Sequence, residues 1–317
     1  MKVVIFGGTG QLGGVLVRAF QARGDDVVVV SRSGTTAARR LEWDGKSVGP
    51  WASELDGADV VLNLAGRSVN CRYTAANRKA MFDSRVESTR AVGAAVAACA
   101  RPPRVWLQMS TATIYSHRFD AANDEATGIL GGAEPDAPAA WRFSIDIAKA
   151  WEHELAAANT PRTRKIALRS SLVLNADRGG IFDVLLGLTR AGLGGTIGDG
   201  AQYVSWLHER DFVGMLDFLV EHEELDGAVI LASPNPLPQR EFMAALRAAW
   251  GTRLGLPATR WMTAIGAFCL RTETELTFKS RRVVPQRLLD AGYRMVFPEW
   301  PEAARDLVAR YRAAAAG

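Results

Sequence analysis

The glycine-rich segment at residues 7–13 limits the fold more than any other part of the sequence. It reads Gly-Gly-Thr-Gly-Gln-Leu-Gly and directly follows the apolar run at residues 3–6. Glycine allows a tight strand-to-helix turn, close approach of the backbone to a pyrophosphate, and close packing of helix on strand. We therefore expect a dinucleotide-binding βαβ unit here. The residues expected to contact the cofactor are Gly7, Thr9, Gly10, Gln11, Leu12 and Gly13.

Short apolar runs alternate with helical patterns through the first half of the chain. Continuous β-branched runs are typical of parallel strands that are buried on both faces. The runs lie at residues 3–6, 27–30, 60–64, 105–109 and 166–168, and the helical patterns at residues 15–23, 75–100 and 143–158. This alternation predicts an α/β fold of the Rossmann type, a doubly wound parallel sheet that binds ligands at the carboxyl ends of its strands.

The pattern changes after residue 174. A turn cluster at 175–180 and a glycine-rich loop at 192–200 precede a proline-punctuated stretch that is mostly helical to its end. We therefore predict a dinucleotide-binding domain at residues 1–174 and a smaller, mostly helical C-terminal domain at 175–317. The helix and strand at 211–232 are expected to return to the first domain.

Composition excludes several classes of protein. The 317 residues are 48% hydrophobic, and their 38 basic and 34 acidic side chains leave a net charge of only +4. No basic arm points to nucleic acid, and no apolar run of 18 residues points to a membrane span. Cys71, Cys99 and Cys269 are too few and too widely spaced for a disulfide framework or a metal cluster. With no signal peptide in view, a cytoplasmic location is expected.

The end of the second predicted strand indicates which dinucleotide binds. An acidic residue there would bind the ribose hydroxyls of NAD and repel a 2′-phosphate. This chain instead has Ser31, Arg32 and Ser33, a guanidinium between two hydroxyls. These groups complement a phosphate dianion, so we expect NADP(H). The alternative for Arg32 is an ordinary exposed loop residue.

Four further motifs carry a resemblance to a known family over essentially the whole chain. They are Asn-Leu-Ala-Gly at 63–66, Asp-Ser-Arg-Val-Glu-Ser-Thr-Arg at 83–90, the glycine loop 194–200 followed by Trp-Leu-His at 206–208, and Pro-Gln-Arg-Leu-Leu-Asp-Ala-Gly-Tyr at 285–293. Together the motifs resemble an atypical extended short-chain dehydrogenase/reductase of the NAD-dependent epimerase/dehydratase superfamily. More narrowly, the chain resembles the epimerase family proteins with a C-terminal domain of unknown function.

The resemblance implies further cofactor contacts by Leu64, Ala65, Gly66, Ser110 and Val173. Arg85 stands where ordinary members keep an asparagine. Its charge suits a cofactor phosphate or an acidic substrate, and the alternative is a surface ion pair with Glu87 or a neighbouring residue. Residues 43–44 either lie beside the adenine or form an ordinary loop.

The catalytic pattern of the superfamily is incomplete. The resemblance implies a Tyr-x-x-x-Lys pair, in which the lysine lowers the pKa of the tyrosine that transfers a proton. Thr111 matches the hydroxyl that orients the substrate. Counting back from Lys149 puts Ile145 at the tyrosine position, whereas alignment on residues 151–152 puts Ser144 and Ala148 at the two positions. Neither register supplies a tyrosine.

Three other side chains are candidate substrate contacts. Tyr115 is the nearest replacement phenol, although a tyrosine after a strand usually packs with its hydroxyl at the surface. Trp206 and His208 lie in the Trp-Leu-His segment, which also has a structural interpretation. No histidine has metal-ligand spacing, so no metal site is expected.

Two functions remain open from the sequence. The first is an NADP(H)-binding oxidoreductase-like protein that acts on an unidentified small molecule. The second is a non-catalytic protein that senses NADP(H), which the missing tyrosine favours. The helices predicted at 75–100 and 143–158 resemble those through which many family members dimerise, so a homodimer is a hypothesis.

Overall fold

The computed structural model describes residues 1–135, 137–258 and 278–316. Cys269 and the part of the predicted C-terminal helices between 259 and 277 lie outside the described residues. Within them, Cys71 and Cys99 are free thiols, and no cluster of three metal-ligating side chains occurs. None of the described helices has the length and apolar character that a membrane crossing requires.

A seven-stranded parallel sheet forms the centre of the fold. The strands in chain order are β1 (Lys2–Phe6), β2 (Asp26–Ser31), β3 (Arg39–Glu42), β4 (Val60–Asn63), β5 (Val105–Thr111), β6 (Arg164–Ser170), β7 (Leu172–Leu174), β8 (Tyr203–Val204), β9 (Trp206–His208), β10 (Gly227–Leu231) and β11 (Leu237–Pro238). The large sheet has the order β10-β6-β5-β4-β1-β2-β3, and its adjacent strands pair in parallel. The predicted doubly wound fold is confirmed. The topological switch lies between β1 and β4, where such sheets bind ligands.

Helices cover both faces of this sheet. The described helices in chain order are α1 (Gln11–Ala22), α2 (Ala75–Ala97), α3 (Ala139–Ala157), α4 (Ile181–Arg190), α5 (Glu209–Glu221), α6 (Gln239–Trp250), α7 (Gln286–Asp290) and α8 (Trp300–Ala316), with 3-10 helices at Pro50–Leu55 and Ala112–Ile114. α1 and α5 lie on one face of the sheet, and α2 and α3 on the other. Successive residues of a strand pack into the cores on opposite faces of the sheet. Ile5 packs with residues of α1 and α5, whereas Val4 packs with residues of α2 and α3. Burial on both faces explains why the strands read as continuous apolar runs.

After β9 the chain returns to the large sheet. α5 packs on α1, and β10 pairs with β6 at the edge of the sheet. Helices α4, α6 and α8 share a separate core with β9, which includes Phe182, Trp206, Phe242 and Trp300. The rings of Phe242 and Trp300 stack with centroids 4.1 Å apart.

Several elements were not predicted from the sequence, among them β3, α4 and the short strands β7, β8, β9 and β11. β3 carries Arg39, Arg40 and Glu42 at the sheet edge, so it lacks the apolar run of a buried strand. α4 is ten residues long and begins after Gly180, between the predicted turn cluster at 175–180 and the predicted glycine-rich loop at 192–200. Its side chains Phe182 and Leu186 are fully buried, which explains why the helix forms.

Candidate functional site

The glycine turn follows β1 and contacts the end of β2 and the segment after β4. Gly7 has φ +74°, a conformation that favours glycine, and its N–H donates to the carbonyl oxygen of Val30 at 2.8 Å. A Cβ on Gly7 would stand 3.0 Å from the backbone nitrogen of Ala65. The turn after β1 is therefore pressed against the segment after β4.

Gly10 and Gly13 are required for different reasons. A Cβ on Gly13 would overlap the backbone of Gly8, so the fold itself requires glycine at this position. A Cβ on Gly10 would have only the carbonyl oxygen of Gly7 nearby, at 3.4 Å, and the φ of Gly10 is an ordinary −79°. The chain leaves open space at Gly10, beside the first turn of α1. Such space at a helix N-terminus fits a pyrophosphate.

The other side chains of the loop make contacts within the protein. Thr9 donates its hydroxyl to the carbonyl oxygen of Ser33 at 2.9 Å, and Gln11 donates its amide to the carbonyl oxygen of Arg178 at 2.9 Å. Leu12 packs against the core on the α1 face. Cofactor contacts by Thr9, Gln11 and Leu12 would therefore use the backbone at the start of α1.

The end of β2 holds two arginines, of which the sequence identified one. Ser31 is buried, and its hydroxyl donates to the carbonyl oxygen of Ser33 at 3.3 Å. Arg32 is exposed, and within the described chain it has no ion pair or hydrogen bond. Arg40 of β3 reaches across and donates to the carbonyl oxygen of Ser31 at 3.2 Å. Adjacent strand pairing thus adds a second cation that the sequence motif did not reveal.

Residues 43–44 support the loop interpretation. The ring of Trp43 is buried edge-on against Phe6, with centroids 5.1 Å apart. Asp44 accepts hydrogen bonds from the backbone N–H groups of Ser47 and Lys46, which lower the pKa of its carboxyl group to about 2. Both side chains stabilise the loop that they belong to.

The segment after β4 is fixed by a buried amide. Asn63 donates to the side-chain oxygen of Gln108 at 3.0 Å and accepts from the N–H of Ala65 at 3.0 Å. This holds Leu64 and Ala65, both partly exposed, at the switch between β1 and β4. The predicted contacts Leu64, Ala65 and Gly66 therefore line the crevice.

Arg85 reaches this crevice from α2. Its guanidinium donates to the carbonyl oxygens of Arg67 at 3.2 Å and Met81 at 3.0 Å, and lies 5.0 Å from the ring centre of Trp151. A Cβ on Gly66 would stand 3.4 Å from the guanidinium carbon. No carboxylate of the described residues pairs with Arg85, so the alternative ion pair with Glu87 is wrong. Burial lowers its pKa to about 10.

A buried ionic network under the ends of β5 and β6 was not predicted. Glu152 of α3 accepts hydrogen bonds from Arg169 at 2.9 and 2.8 Å and from the hydroxyl of Ser110 at 2.6 Å. Burial opposes the charge on Arg169, but Glu152 outweighs burial and raises the arginine pKa. Arg169 also donates to the hydroxyl oxygen of Tyr115 at 2.8 Å.

This network corrects two predictions. Ser110 is buried and its hydroxyl is bonded to Glu152, so the side chain does not face a cofactor. Tyr115 is also buried, and its hydroxyl lies against Arg169 and not at the surface. Burial raises the pKa of Tyr115, which makes it a poor replacement for the missing phenol. Both residues instead hold α3 on the sheet.

The two predicted catalytic residues, Thr111 and Lys149, lie in different places. The hydroxyl oxygen of Thr111 accepts from the N–H of Thr113 at 3.2 Å, and the side chain is partly exposed at the end of β5. Lys149 is directed to the loop after β5, where its ammonium donates to the carbonyl oxygen of Gly131 at 2.7 Å. Ile145 lies against the same loop. Ser144 faces the other way, with its hydroxyl 3.5 Å from that of Tyr73.

The structure contradicts the predicted substrate contacts of Trp206 and His208. Both side chains are 0% exposed. Trp206 donates to the carbonyl oxygen of Asn235 at 3.2 Å. The His208 ring lies 3.0 Å from Asp306 and accepts from the N–H of Arg210 at the start of α5. They join β9 to the C-terminal core. Val173 of β7 is also buried, beside Leu207 in the paired strand.

Comparison with known protein families finds two matching regions in the chain. Residues 3–134 match the NAD dependent epimerase/dehydratase family. Residues 263–307 match a domain of unknown function, DUF1731.

Relatives extend over nearly the whole chain. Epimerase family protein SDR39U1 of Bos taurus is 33% identical over 98% of this chain and 100% of its own length. The crystal structure of human epimerase family protein SDR39U1 (isoform 2) with NADPH superposes with a TM-score of 0.84 at 29% identity, and the match covers 98% of this chain and 99% of the human one. UDP-glucose 4-epimerase of Thermotoga maritima has the same fold, with a TM-score of 0.75 at 14% identity over the full length of both chains.

Proposed function

Because the chain belongs to the epimerase family proteins of the NAD dependent epimerase/dehydratase family, we propose that it binds NADP(H) and acts as an oxidoreductase on a small molecule. When bound, the nicotinamide ring would supply or accept a hydride. The chain itself would bind the cofactor, orient the substrate and move a proton.

The observation that carries this proposal is the pair of cations at the end of β2. Among the described residues, Arg32 has no hydrogen-bond or ion-pair partner, and Arg40 bonds only to the backbone carbonyl of Ser31. Two guanidinium groups at one strand end favour a ligand with a phosphate, and the 2′-phosphate distinguishes NADP from NAD. The human relative with NADPH supports the same choice.

The remaining contacts follow the crevice between β1 and β4. The open space at Gly10 and the N–H groups at the start of α1 would hold the pyrophosphate, since these groups point toward a ligand at a helix N-terminus. Leu64 and Ala65 would line the adenosine side, and Arg85 would neutralise negative charge at the other wall. We propose that Thr111, at the end of β5, orients the substrate oxygen.

A direct binding measurement tests the proposal. Calorimetric titration of the purified protein with NADPH should give a single site per chain with a dissociation constant in the micromolar range or below. A folded protein that binds neither NADPH nor NADH would contradict the proposed function.

The second candidate is a sensor that binds NADP(H) without turnover. The absence of tyrosine from both registers of α3 favours it, because Ile145 cannot transfer a proton and Ser144 is a weak acid without a base. A stopped-flow search for NADPH oxidation by aldehydes and ketones separates the two. Turnover with any of them favours the oxidoreductase, whereas binding without turnover favours the sensor. On either account, we expect negligible epimerisation of ordinary sugar nucleotides.

A further inference from the structure

We propose that Tyr73 and Arg85 replace the missing acid–base pair, so that phenol and cation come from the α2 side of the crevice and not from α3. Tyr73 would be the catalytic proton donor and Arg85 the positioning residue that stabilises its ionised form. This inference rests on the proposed oxidoreductase function.

The ionic network under β5 and β6 selects the register of α3. Glu152 binds Arg169 and Ser110, so the helix is fixed through residue 152. In the register counted from Glu152, Ser144 and Ala148 occupy the tyrosine and lysine positions. The other register is excluded because Lys149 and Ile145 both lie against the loop at Gly131 and Gly132.

Tyr73 brings a phenol to the first of these positions. It precedes α2, and its hydroxyl lies 3.5 Å from the hydroxyl of Ser144. The ring of Phe143 packs edge-on against that of Tyr73, with centroids 5.5 Å apart. The Tyr73 side chain is thereby oriented across α2 and α3, with its polar end at Ser144.

Arg85 brings a positive charge to the second position. Its guanidinium lies over Trp151, which is three residues from Ala148 and therefore on the same side of α3. Ala148 is fully buried and has no side chain that could carry a charge. The contact of Arg85 with Gly66 places this cation at the crevice between β1 and β4.

The chemistry balances for the reduction of a carbonyl group. The carbonyl carbon accepts a hydride from NADPH, while the carbonyl oxygen takes the proton of the Tyr73 hydroxyl as that O–H bond breaks. The products are an alcohol, NADP⁺ and a phenolate, which Arg85 stabilises and water reprotonates. Oxidation of the alcohol runs through the same steps in reverse.

The charged and titratable groups around Tyr73 can be identified for the described residues. Its own segment contributes Cys71 and Arg72, and α2 contributes Arg78 and Arg85. Arg78 donates to the backbone carbonyl of Tyr73 at 2.9 Å. The facing α3 residues Phe143, Ser144 and Ile147 carry no charge. Among these described groups the charged ones on the α2 side, Arg72, Arg78 and Arg85, are all cations, and a nearby cation favours the phenolate.

Nuclear magnetic resonance of the full chain tests the pair without requiring turnover. The protein has five tyrosines, so carbon-13 at the ring carbon bonded to oxygen gives few signals, each assigned by a single Tyr→Phe variant. We expect Arg85→Met to raise the pKa of Tyr73 by about one unit, on the order of tenfold in acidity. Arg85→Lys should keep most of the wild-type value. Arg90→Met is the control, because Arg90 lies on the same helix and pairs with Glu154.

A second measurement follows the assigned wild-type signals and does not need Arg85→Met, so it holds even if that variant does not fold. NADP⁺ should shift the Tyr73 signal and leave that of Tyr203 in place. A Tyr73 signal unchanged by bound NADP⁺, or an equal pKa in Arg85→Met and wild type, would overturn the pair. Failure to bind NADP⁺ would instead overturn the proposed function, and the Arg85 comparison would still report on the pair.

Discussion

Glu152 of α3 and Arg169 of β6 form a two-pronged ion pair, with nitrogen–oxygen distances of 2.9 and 2.8 Å, in a largely buried position. The pair fixes the axial position of α3 on the sheet. It therefore determines which α3 side chains face the crevice and which face the loop at Gly131.

Removing Glu152 should destabilise the protein strongly. Glu152→Ala leaves the Arg169 guanidinium buried without its partner, a loss that typically costs about 3–5 kcal/mol. Glu154→Ala is the matched control on the same helix, since Glu154 pairs with the exposed Arg90. We expect Glu154→Ala to lower the free energy of unfolding by less than about 1 kcal/mol. Urea unfolding of both variants measures the difference, and similar costs would contradict a structural role for the network.

Substitutions at Gly10 and Gly13 should affect cofactor binding and folding stability separately. Gly10→Val should leave the unfolding free energy within about 1 kcal/mol of wild type, because only the Gly7 carbonyl lies near the new side chain. Its binding of NADPH should fall sharply, since the side chain fills the space of the pyrophosphate. Calorimetry measures the affinity and thermal unfolding the stability.

Gly13→Ala should show the opposite pattern. Its Cβ would overlap the backbone of Gly8, and such overpacking costs about 1–3 kcal/mol or more. If Gly10→Val bound NADPH with wild-type affinity, the loop would be a structural turn and not a cofactor site.

His208 should make the folding stability decrease at acidic pH. Burial lowers the pKa of His208 below its ordinary 6.5, and the carboxylate of Asp306 offsets only part of this shift. The unfolded state therefore binds the proton more readily than the folded state. The neutral ring contributes stability that is present above about pH 6.5 and is lost as the pH falls toward the folded pKa.

A variant checks this pH dependence. We expect His208→Gln to be less stable than wild type at neutral pH and to lose less stability than wild type between pH 6.5 and 4.5. Urea midpoints at both values measure the change. Parallel pH profiles for the two proteins would contradict a buried neutral histidine.

The sheet was predictable because its strands are buried on both faces, and such burial leaves continuous apolar runs in the sequence. β3 escaped prediction because an edge strand needs no such run, and its charged residues resemble a loop. The burial of Trp206 and His208 was also missed. It depends on Phe297, Trp300 and Asp306, which lie about ninety residues further along the chain.

The candidate site could be identified from the sequence where one short segment contains its residues. The spacing of Gly7, Gly10 and Gly13 and the basic end of β2 needed no tertiary information. Arg40 and the pair Glu152–Arg169 were missed because their roles depend on which strands and helices become neighbours. A strand pairing of β2 with β3 is the signal that would have identified Arg40.

We expect the cofactor preference to depend on the two arginines at the end of β2. Hydrogen bonds to charged groups contribute roughly 1.5–3 kcal/mol, so NADPH should bind on the order of ten to a hundred times more tightly than NADH. Arg32→Ala should remove most of this preference, and Arg40→Ala part of it, with little effect on NADH. Added salt should weaken the preference, because Arg32 and Arg40 are exposed.

Titration of NADPH and NADH against wild type, Arg32→Ala and Arg39→Ala is the most direct test of the account. Arg39 is the control, because its guanidinium is bound to both oxygens of Glu54, at 2.8 and 2.6 Å. We predict tighter binding of NADPH in the wild type and in Arg39→Ala, and near-equal affinities in Arg32→Ala. Equal affinities for the two cofactors in the wild-type protein would contradict the assignment of NADP(H).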